Sequence, residues 1–253
     1  TVVSVADLEP GDRIELRYRR SQTSASNYLE QHFGDVWIMQ ADVPKRLARY
    51  VLIAPRERSL RVHVPEGFPD ALPAGLARYE TSTDETRQVH LFERLDVPKI
   101  KPERMMPGWT EVADYVVVST FADWSEVASV YWKLAKDQWV VDKDIRDKVA
   151  ELVAEVDDRR ERVRRIHNYV VKNTRYIALE FGIHGYKPYK TTVCFRRRFG
   201  DCKDKASLLK VMLEEAGIPT DIVLLRTSRN GAIATDPASL SIFDHAIAYV
   251  PEF

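Results

Sequence analysis

The sequence predicts an α+β protein in which a strand-rich half precedes a half led by helices. Up to about residue 120, apolar residues either alternate with polar ones or form short β-branched runs, as in strands. From Asp123 onward, apolar residues recur at helical spacing. These observations predict an antiparallel β-sandwich-like domain over residues 1–123 and an α+β core over residues 124–253.

The strand predictions in the first half come from two kinds of pattern, and prolines and glycines separate the segments. Alternation is found at Ile14, Leu16 and Tyr18, at Leu60, Val62 and Val64, and at Val89 and Leu91, and continuous runs cover residues 50–53 and 115–118. Strands that follow one another without intervening helices favour an antiparallel sandwich or a bent sheet. This half contains no group of residues that resembles a catalytic site.

Three helices are predicted at the beginning of the second half. The first carries Val127, Val130, Tyr131 and Leu134 at helical spacing, the second covers residues 144–155, and the third covers residues 158–173. In the third helix, Val163, Ile166, Val170 and Val171 form one apolar stripe. Helices of this kind beside a small antiparallel sheet make an α+β core.

The segment Gly-Asp-Cys-Lys-Asp-Lys-Ala at residues 200–206 places a cysteine at the beginning of a predicted helix. Apolar residues follow at helical spacing until Gly217 and Pro219 end the pattern. Asp201 suits the N-cap position, so Cys202 falls in the first turn. Because the N-terminus of a helix favours negative charge, Cys202 is a candidate nucleophile.

A candidate base lies downstream of this cysteine. Residues 220–227 and 244–250 are predicted to be strands, and a polar segment joins them. In the second strand, His245, Ile247 and Tyr249 share one face. A helix followed by two such strands allows His245 to face the beginning of the cysteine helix. We therefore predict that Cys202 and His245 act as nucleophile and base.

Structural interpretations remain open beside the catalytic ones. The alternative for Cys202 is a small buried apolar residue, and capping alone is enough to explain Asp201. Lys203, Asp204 and Lys205 are expected to be solvated or salt-bridged, although one of them could line a cleft. The arginines at residues 196–198 form a solvated face or raise the local potential around Cys202. The remaining candidates for the cleft are more typical of structural roles: Phe181, Tyr186, Tyr189, Phe199, His167 and His184.

Composition excludes several classes of protein. Of 253 residues, 38 are basic and 38 acidic, so net charge gives no reason to expect binding to nucleic acid or to an anionic membrane. No apolar run approaches the roughly 18 residues of a membrane span. Cys194 and Cys202 are not expected to form a disulfide, because pairing would block a reactive Cys202. The cysteines and histidines lack the spacing of a zinc site, so we expect no metal and no cofactor.

The motifs around Cys202 and His245 resemble those of the transglutaminase-like superfamily. They are residues 200–206, the segment Met-Leu-Glu-Glu-Ala-Gly-Ile-Pro at residues 212–219, and Phe-Asp-His-Ala-Ile at residues 243–247. Residues 175–188, and more loosely residues 8–12 and 120–124, are similar to bacterial members with a domain called DUF3857 before this core. The resemblance covers nearly the whole chain.

This resemblance implies a papain-like fold with a Cys–His–Asp triad. Cys202 matches the nucleophile and His245 matches the base. The aspartate normally lies on the following strand, which is expected beyond Phe253, so the second domain is expected to be truncated. Asp244 is not assigned this role, because neighbouring strand residues point to opposite faces.

Together these observations predict a thiol-dependent enzyme that transfers acyl groups from amide or peptide bonds through a Cys202 thioester. Hydrolysis and transfer to an amine both remain open. The expected partner is a protein or peptide, and the resemblance to exported bacterial proteins favours the periplasm or cell envelope. The alternative is a catalytically inactive transglutaminase-like scaffold or protein-binding module.

Overall fold

A computed structural model describes residues 6–7, 9–17, 29, 31–64 and 77–253. Ten strands and six α-helices lie in this part of the chain. The strands are β1 (Gly34–Ile38), β2 (Lys45–Pro55), β3 (Arg61–His63), β4 (Ala77–Thr83), β5 (Arg87–Val97), β6 (Tyr115–Ser119), β7 (Arg175–Tyr176), β8 (Phe199–Gly200), β9 (Asp221–Leu225) and β10 (His245–Tyr249). The helices are α1 (Trp109–Val112), α2 (Trp124–Ala135), α3 (Lys143–Val153), α4 (Arg159–Asn173), α5 (Thr191–Arg197) and α6 (Cys202–Glu215).

The strand-rich half forms two antiparallel three-stranded sheets, in the orders β1-β6-β3 and β2-β5-β4. One apolar core lies between them, because Val116 and Val118 of the first sheet cluster with Ala48 and Phe92 of the second. Two sheets that share a core in this way make a sandwich-like layer structure. The predicted α+β class with a strand-rich N-terminal region is therefore confirmed.

Most of the predicted strands of this half are found in the structure. The runs at residues 50–53 and 115–118 lie in β2 and β6, and the alternating segments around Val62 and Val89 lie in β3 and β5. The first predicted strand is wrong over Ile14 and Leu16, which lack regular structure and are 60% and 66% exposed. No neighbouring strand covers these side chains within the described residues. Tyr18, at the end of that prediction, lies outside the described residues, as do the prolines at residues 65, 69 and 73.

Three aspartates begin the predicted helices of the second half. The side chain of Asp123 accepts a hydrogen bond from a backbone N–H of α2, Asp142 does so for α3, and Asp158 for α4. These bonds satisfy N–H groups that have no partner within the helix. Helices α1 and α5 were not predicted. They have four and seven residues, and their first turns lack a side-chain cap bond of this kind from Ser, Thr, Asn or Asp.

Helix α6 is the centre of the second core. Its residues Leu208, Met212 and Leu213 are fully buried against α3 and α4, which contribute Ile145 and Ile166. The antiparallel pair of β9 and β10 covers another side of the helix. Because α6 is enclosed on several sides, its first residue is held within the body of the protein rather than on an outer surface.

The segment between β9 and β10, residues 226–244, reaches the strand-rich half before it returns to β10. Its residues Ala238 and Leu240 pack with Phe121, Val127 and Val130 in a third apolar cluster. This segment therefore fixes the start of β10, and with it His245, against both halves of the chain.

Candidate active site

Cys202 is the first residue of α6, and it is half-buried and unpaired. Asp201 is the N-cap, and its carboxylate accepts a hydrogen bond of 3.2 Å from the N–H of Asp204. The carboxylate of Asp204 in turn accepts one of 3.3 Å from the N–H of Asp201. This reciprocal capping box sets the position at which the helix begins, and so fixes the position of the cysteine.

The carboxylate of Asp204 also organises the residues before the motif. It accepts hydrogen bonds from the guanidinium of Arg197 at 2.7 Å and from the N–H of Tyr189 at 2.8 Å. The guanidinium of Arg197 lies 4.3 Å from the ring centre of Tyr189 and 4.6 Å from that of Phe199. Asp204 is thus salt-bridged, which is one of the two states expected for it from the sequence, the other being exposure to solvent. Tyr189 and Phe199 take the structural role, since they enclose this ion pair.

Two of the arginines at residues 196–198 form ion pairs. Arg197 pairs with Asp204, and the guanidinium of Arg196 lies 3.7 Å from the carboxylate of Asp142. Arg198 ends α5 in a left-handed conformation, with φ of 58°. The interpretation that these residues raise the potential around Cys202 stays a prediction.

Lys203 lies beside the cysteine and is only 5% exposed. Its ammonium group donates a hydrogen bond to the carboxylate of Asp201 and lies 3.6 Å from a carboxylate oxygen of Glu180. It lines one of two cavities at Cys202, and Lys205 of the same charged run lines the other. The sequence left open which of the three charged residues would do so.

His245 is the first residue of β10, where it pairs with Leu225 of β9. The next residue, Ala246, is buried, and its backbone N–H lies close enough to the sulfur of Cys202 to lower the pKa of that thiol. Cys202, His245 and Ala246 together line two cavities, so the structure brings the predicted nucleophile and base to one place. Cys202 and His245 therefore lie on the same side of the molecule.

The first of these cavities, which we call the Lys203 cavity, measures about 280 Å³. Besides the three shared residues it is lined by Tyr131, Glu180, Gly185, Tyr186, Lys203, Leu224, Leu240, Phe243 and Asp244. The second, the His167 cavity, measures about 350 Å³. It is lined in addition by His167, Val170, Val171, Tyr176, Lys205, Ala206, Leu209, Ile247 and Ala248. The two cavities give access to Cys202 from two directions.

The protonation of Cys202 reflects opposing influences. Burial raises the pKa of its thiol, whereas the N–H of Ala246 lowers it. Among the neighbouring charges, Asp201 raises this pKa and Lys203 lowers it, and the net direction is upward. Burial thus outweighs the backbone N–H groups at the helix N-terminus, which favour the thiolate. A thiolate at this position needs a partner that accepts the proton.

Tyr176 is a site residue that the sequence pattern did not single out. It ends β7 and lines the His167 cavity together with Cys202. Burial and the neighbouring Cys202 raise the pKa of its phenol, so the hydroxyl stays protonated and can donate. The one signal in the sequence was its place within residues 175–188, the segment similar to the transglutaminase-like proteins.

Asp244 does not contact the imidazole of His245. Its carboxylate accepts hydrogen bonds from the N–H of Thr227 at 2.7 Å, from the hydroxyl of the same residue at 2.6 Å, and from the amide of Asn230. Among the residues that the structure describes, no carboxylate makes a hydrogen bond or ion pair with His245. The described chain thus provides a cysteine and a histidine at the site, without a third member of a triad.

Some of the other candidates named from the sequence line a cavity at Cys202, and others are packed away from it. His167 and Tyr186 line one cavity each. His184 stacks on Tyr189, with ring centres 3.6 Å apart, and is tied to the carbonyl of Lys187. Cys194 is fully buried, and burial raises its pKa to about 12. Across the described residues, His, Cys, Asp and Glu side chains form no group of three or more suited to a metal ion.

Comparison with known families gives two matches. Residues 1–101 match the model of DUF3857, a domain of unknown function with a solved structure, and residues 146–250 match that of the transglutaminase-like superfamily. These matches confirm the resemblance identified from the sequence. No curated protein matches the chain.

Two solved structures are similar to the chain. The crystal structure of a putative protease from Parabacteroides distasonis superposes with a TM-score of 0.70 at 16% sequence identity. The match covers 86% of this chain but 41% of that protein, so the chain spans less than half of its length. A putative cysteine protease from Cytophaga hutchinsonii matches with a TM-score of 0.33 and 13% identity, over 87% of this chain and 75% of that one. At this identity, the first match establishes a shared fold.

Proposed function

We propose that the chain carries the nucleophile and the base of a thiol-dependent acyl-transfer enzyme that acts on amide or peptide bonds. The observation that carries the proposal is the placement of Cys202, His245 and the N–H of Ala246 around the meeting point of two cavities. A nucleophile, a base and a backbone donor at one accessible point are the parts that such chemistry needs.

In the first step, His245 accepts the thiol proton of Cys202, and the thiolate attacks the carbonyl carbon of the substrate. Burial makes an isolated thiolate unfavourable here, so formation of an imidazolium beside it stabilises the charged pair. The N–H of Ala246 and the ammonium of Lys203 both favour negative charge at the sulfur. Proton transfer and attack are therefore coupled in this site.

The attack forms a C–S bond and places negative charge on the former carbonyl oxygen. The N–H groups at the start of α6 and the hydroxyl of Tyr176 are the donors available beside the sulfur. Collapse of this intermediate breaks the C–N bond, and the imidazolium of His245 gives its proton to the departing amine. A thioester on Cys202 remains.

The two cavities suit the two sides of the scissile bond. One accommodates the acyl portion, and the other lets the amine leave and the acceptor enter. Water as acceptor gives a carboxylic acid, and a primary amine gives a new amide, and in both cases the thiol regains its proton. The substrate we propose is a protein or peptide.

The test measures alkylation of each cysteine by iodoacetamide as a function of pH, with the modified peptides identified by mass spectrometry. In the wild-type protein we expect Cys202 to react near neutral pH, because His245 takes up its proton. In His245→Ala we expect reaction only above the ordinary thiol pKa of about 8.5, since burial raises the pKa of the unassisted thiol.

Cys194 is the internal control, because it is fully buried with a pKa of about 12 and should stay unmodified in the folded protein. Equal and slow labelling of both cysteines would contradict the proposal. Turnover is followed as p-nitrophenolate release from p-nitrophenyl acetate, which Cys202→Ala should slow by about 10⁴-fold. With a peptide mixture, uptake of heavy oxygen from labelled water indicates hydrolysis, and incorporation of a fluorescent primary amine indicates transamidation.

One observation favours a second candidate, a non-catalytic scaffold. Within the described residues nothing orients the imidazole of His245, whereas the Cys–His enzymes rely on a third group for this. If the scaffold is correct, His245→Ala will leave the pH dependence of Cys202 alkylation unchanged. An upward shift of that dependence supports the enzyme.

A further inference from the structure

A third cavity, of about 380 Å³, adjoins the Lys203 cavity and plays no part in the chemistry described above. It lies between α2 and β9, and we call it the tryptophan cavity because Trp124, Trp132 and Trp139 line it. It shares three wall residues with the Lys203 cavity, namely Tyr131, Leu224 and Phe243. The two cavities are therefore neighbours along one continuous cleft, and the volume falls within the usual range of ligand sites.

The geometry of α2 makes the concave surface. Trp124, Ala128 and Trp132 follow one another at intervals of four residues, so they lie along one side of the helix. Ala128 leaves a gap between the two indoles because its side chain is a single methyl group. Trp124 and Trp132 are 38% and 55% exposed, unusual for the largest apolar side chain on a helix that also has a buried face.

Two of the three indole N–H groups of the wall are already bonded, and its charged residues are Lys210 and Asp221, so most of the wall presents ring faces and methyl groups to a ligand. The indole N–H of Trp124 donates to the carbonyl of Thr235, and that of Trp139 donates to the hydroxyl of Ser207, both at 3.1 Å. The one cation in the wall, Lys210, donates to the carbonyl of Thr220 and to the carboxylate of Glu214.

Lys210 also determines which charge the cavity accepts. Its ammonium lies 5.0 Å from the ring centre of Trp139, so one aromatic face already carries a cation. Lys210 and Asp221 give the wall one charge of each sign, and Lys210 is already paired with Glu214, so the wall has no net charge with which to draw an ionic group out of water. Neutral apolar groups are the class that this surface accommodates.

We propose that the tryptophan cavity is a specificity subsite for a neutral aromatic or large aliphatic side chain of the polypeptide substrate. This inference rests on the proposed function, because the subsite selects the chain whose amide reaches Cys202. Tyr131, Leu224 and Phe243 connect the two, since each forms a wall of both cavities. Ring stacking and apolar burial supply the selectivity.

The binding test uses Cys202→Ala protein, so that turnover plays no part, and compares N-acetyl-phenylalaninamide with N-acetyl-glycinamide and N-acetyl-lysinamide by ligand-observed NMR. We expect contact with the phenylalanine compound alone. Ala128→Trp should abolish this contact because it fills the gap. Ser129→Trp adds the same side chain at the next exposed position of α2, outside the cavity wall, and should leave binding intact.

The activity test compares peptide substrates that differ at one position, in otherwise native protein. A preference for phenylalanine or leucine over glycine of about tenfold or more in kcat/KM is expected. Ala128→Trp should remove this preference and leave the reaction with p-nitrophenyl acetate unchanged. Trp132→Ala, which removes an exposed side chain, should weaken the same preference and serves if the larger substitution disturbs folding.

The outcomes separate the subsite from the enzyme. Equal binding of the three compounds, or phenylalanine binding that survives both Ala128→Trp and Trp132→Ala, overturns the subsite. Selective binding without any turnover by the native protein overturns the proposed function, and the cavity then remains a binding site for apolar side chains with no role in selecting a substrate. Turnover without a side-chain preference overturns the subsite alone.

Discussion

At the scale of single residues, the site is governed by the balance of charges around one sulfur atom. Cys202 is half-buried, so its thiolate lacks the hydration that a surface thiol would have. Asp201 opposes the thiolate, although the same carboxylate is needed to cap α6. Lys203 neutralises that carboxylate and favours the thiolate. The motif thus places the ammonium group of Lys203 beside the carboxylate of Asp201, which would otherwise raise the pKa of Cys202.

Lys203→Met is therefore expected to move the pH dependence of Cys202 alkylation to higher pH. Loss of the ammonium removes an influence that lowers the cysteine pKa and leaves the carboxylate of Asp201 unopposed. The matched control is Lys205→Met on the same helix turn. Lys205 donates to the carbonyl of Thr174 at 2.8 Å, whereas Lys203 donates to the carboxylate of Asp201. Equal displacement of the alkylation profile by both substitutions would show that Lys203 has no special role.

At the scale of elements, the N-terminus of α6 is held by a buried network rather than by the helix alone. Asp204 is 1% exposed, and it joins the capping box to α5 through Arg197 and to the preceding loop through Tyr189. Gly200 belongs to this network because a side chain there has no room. A Cβ atom at this position would lie 2.6 Å from the Cβ of Asp204 and 2.8 Å from its carboxylate.

Gly200→Ala is expected to reduce the free energy of unfolding by about 1–3 kcal/mol, the usual range for overpacking a filled interior. The added methyl group must push the Asp204 side chain out of the capping box. Gly185→Ala is the control, since its Cβ would meet no atom within 4 Å. Denaturant-induced unfolding measures both. A stable Gly200→Ala protein with normal Cys202 alkylation would mean that the capping box does not position the cysteine.

Among the elements around the site, those set by local sequence signals could be predicted. Helix α6 and its cap followed from Asp201, the apolar spacing and Gly217, because these are local signals. The strand that carries His245 and the strand before it were also predicted. The N–H of Ala246, the phenol of Tyr176 and the buried position of Lys203 were not, because each depends on how separate elements pack. Burial of Cys202 reversed the expected direction of its pKa for the same reason.

At the scale of the whole molecule, residues 226–244 connect the candidate site to the strand-rich half. The hydroxyl of Ser119, in β6, donates to the carbonyl of Ala238 at 2.6 Å. The hydroxyl of Tyr115, in the same strand, accepts from the N–H of Ala234 at 3.0 Å. We propose that the chain divides near residue 123 and that the first domain supports the segment leading to His245.

Every helix of the described residues is too short or too polar to cross a bilayer.

Thr110→Val tests this support, because valine keeps the shape of threonine and removes its hydroxyl. That hydroxyl, in α1, donates to the carbonyls of Asn230 at 2.8 Å and Ala232 at 2.5 Å. Arg226 still donates to Asn230, so the expected loss of unfolding free energy is moderate, about 1–2 kcal/mol. Amide hydrogen exchange should accelerate in residues 226–244 and remain unchanged in α6, and Cys202 alkylation near neutral pH should slow because His245 is less firmly placed.

The matched control for this substitution is Thr83→Val, at an exposed position of β4. Valine is well accommodated in strands, so this variant should retain both stability and alkylation rate. If exchange in residues 226–244 stays as slow in Thr110→Val as in the native protein, the strand-rich half does not hold this segment. If exchange accelerates while alkylation keeps its rate, the segment is held but the position of His245 depends on β9 and α6 alone, since these are the other elements that contact β10.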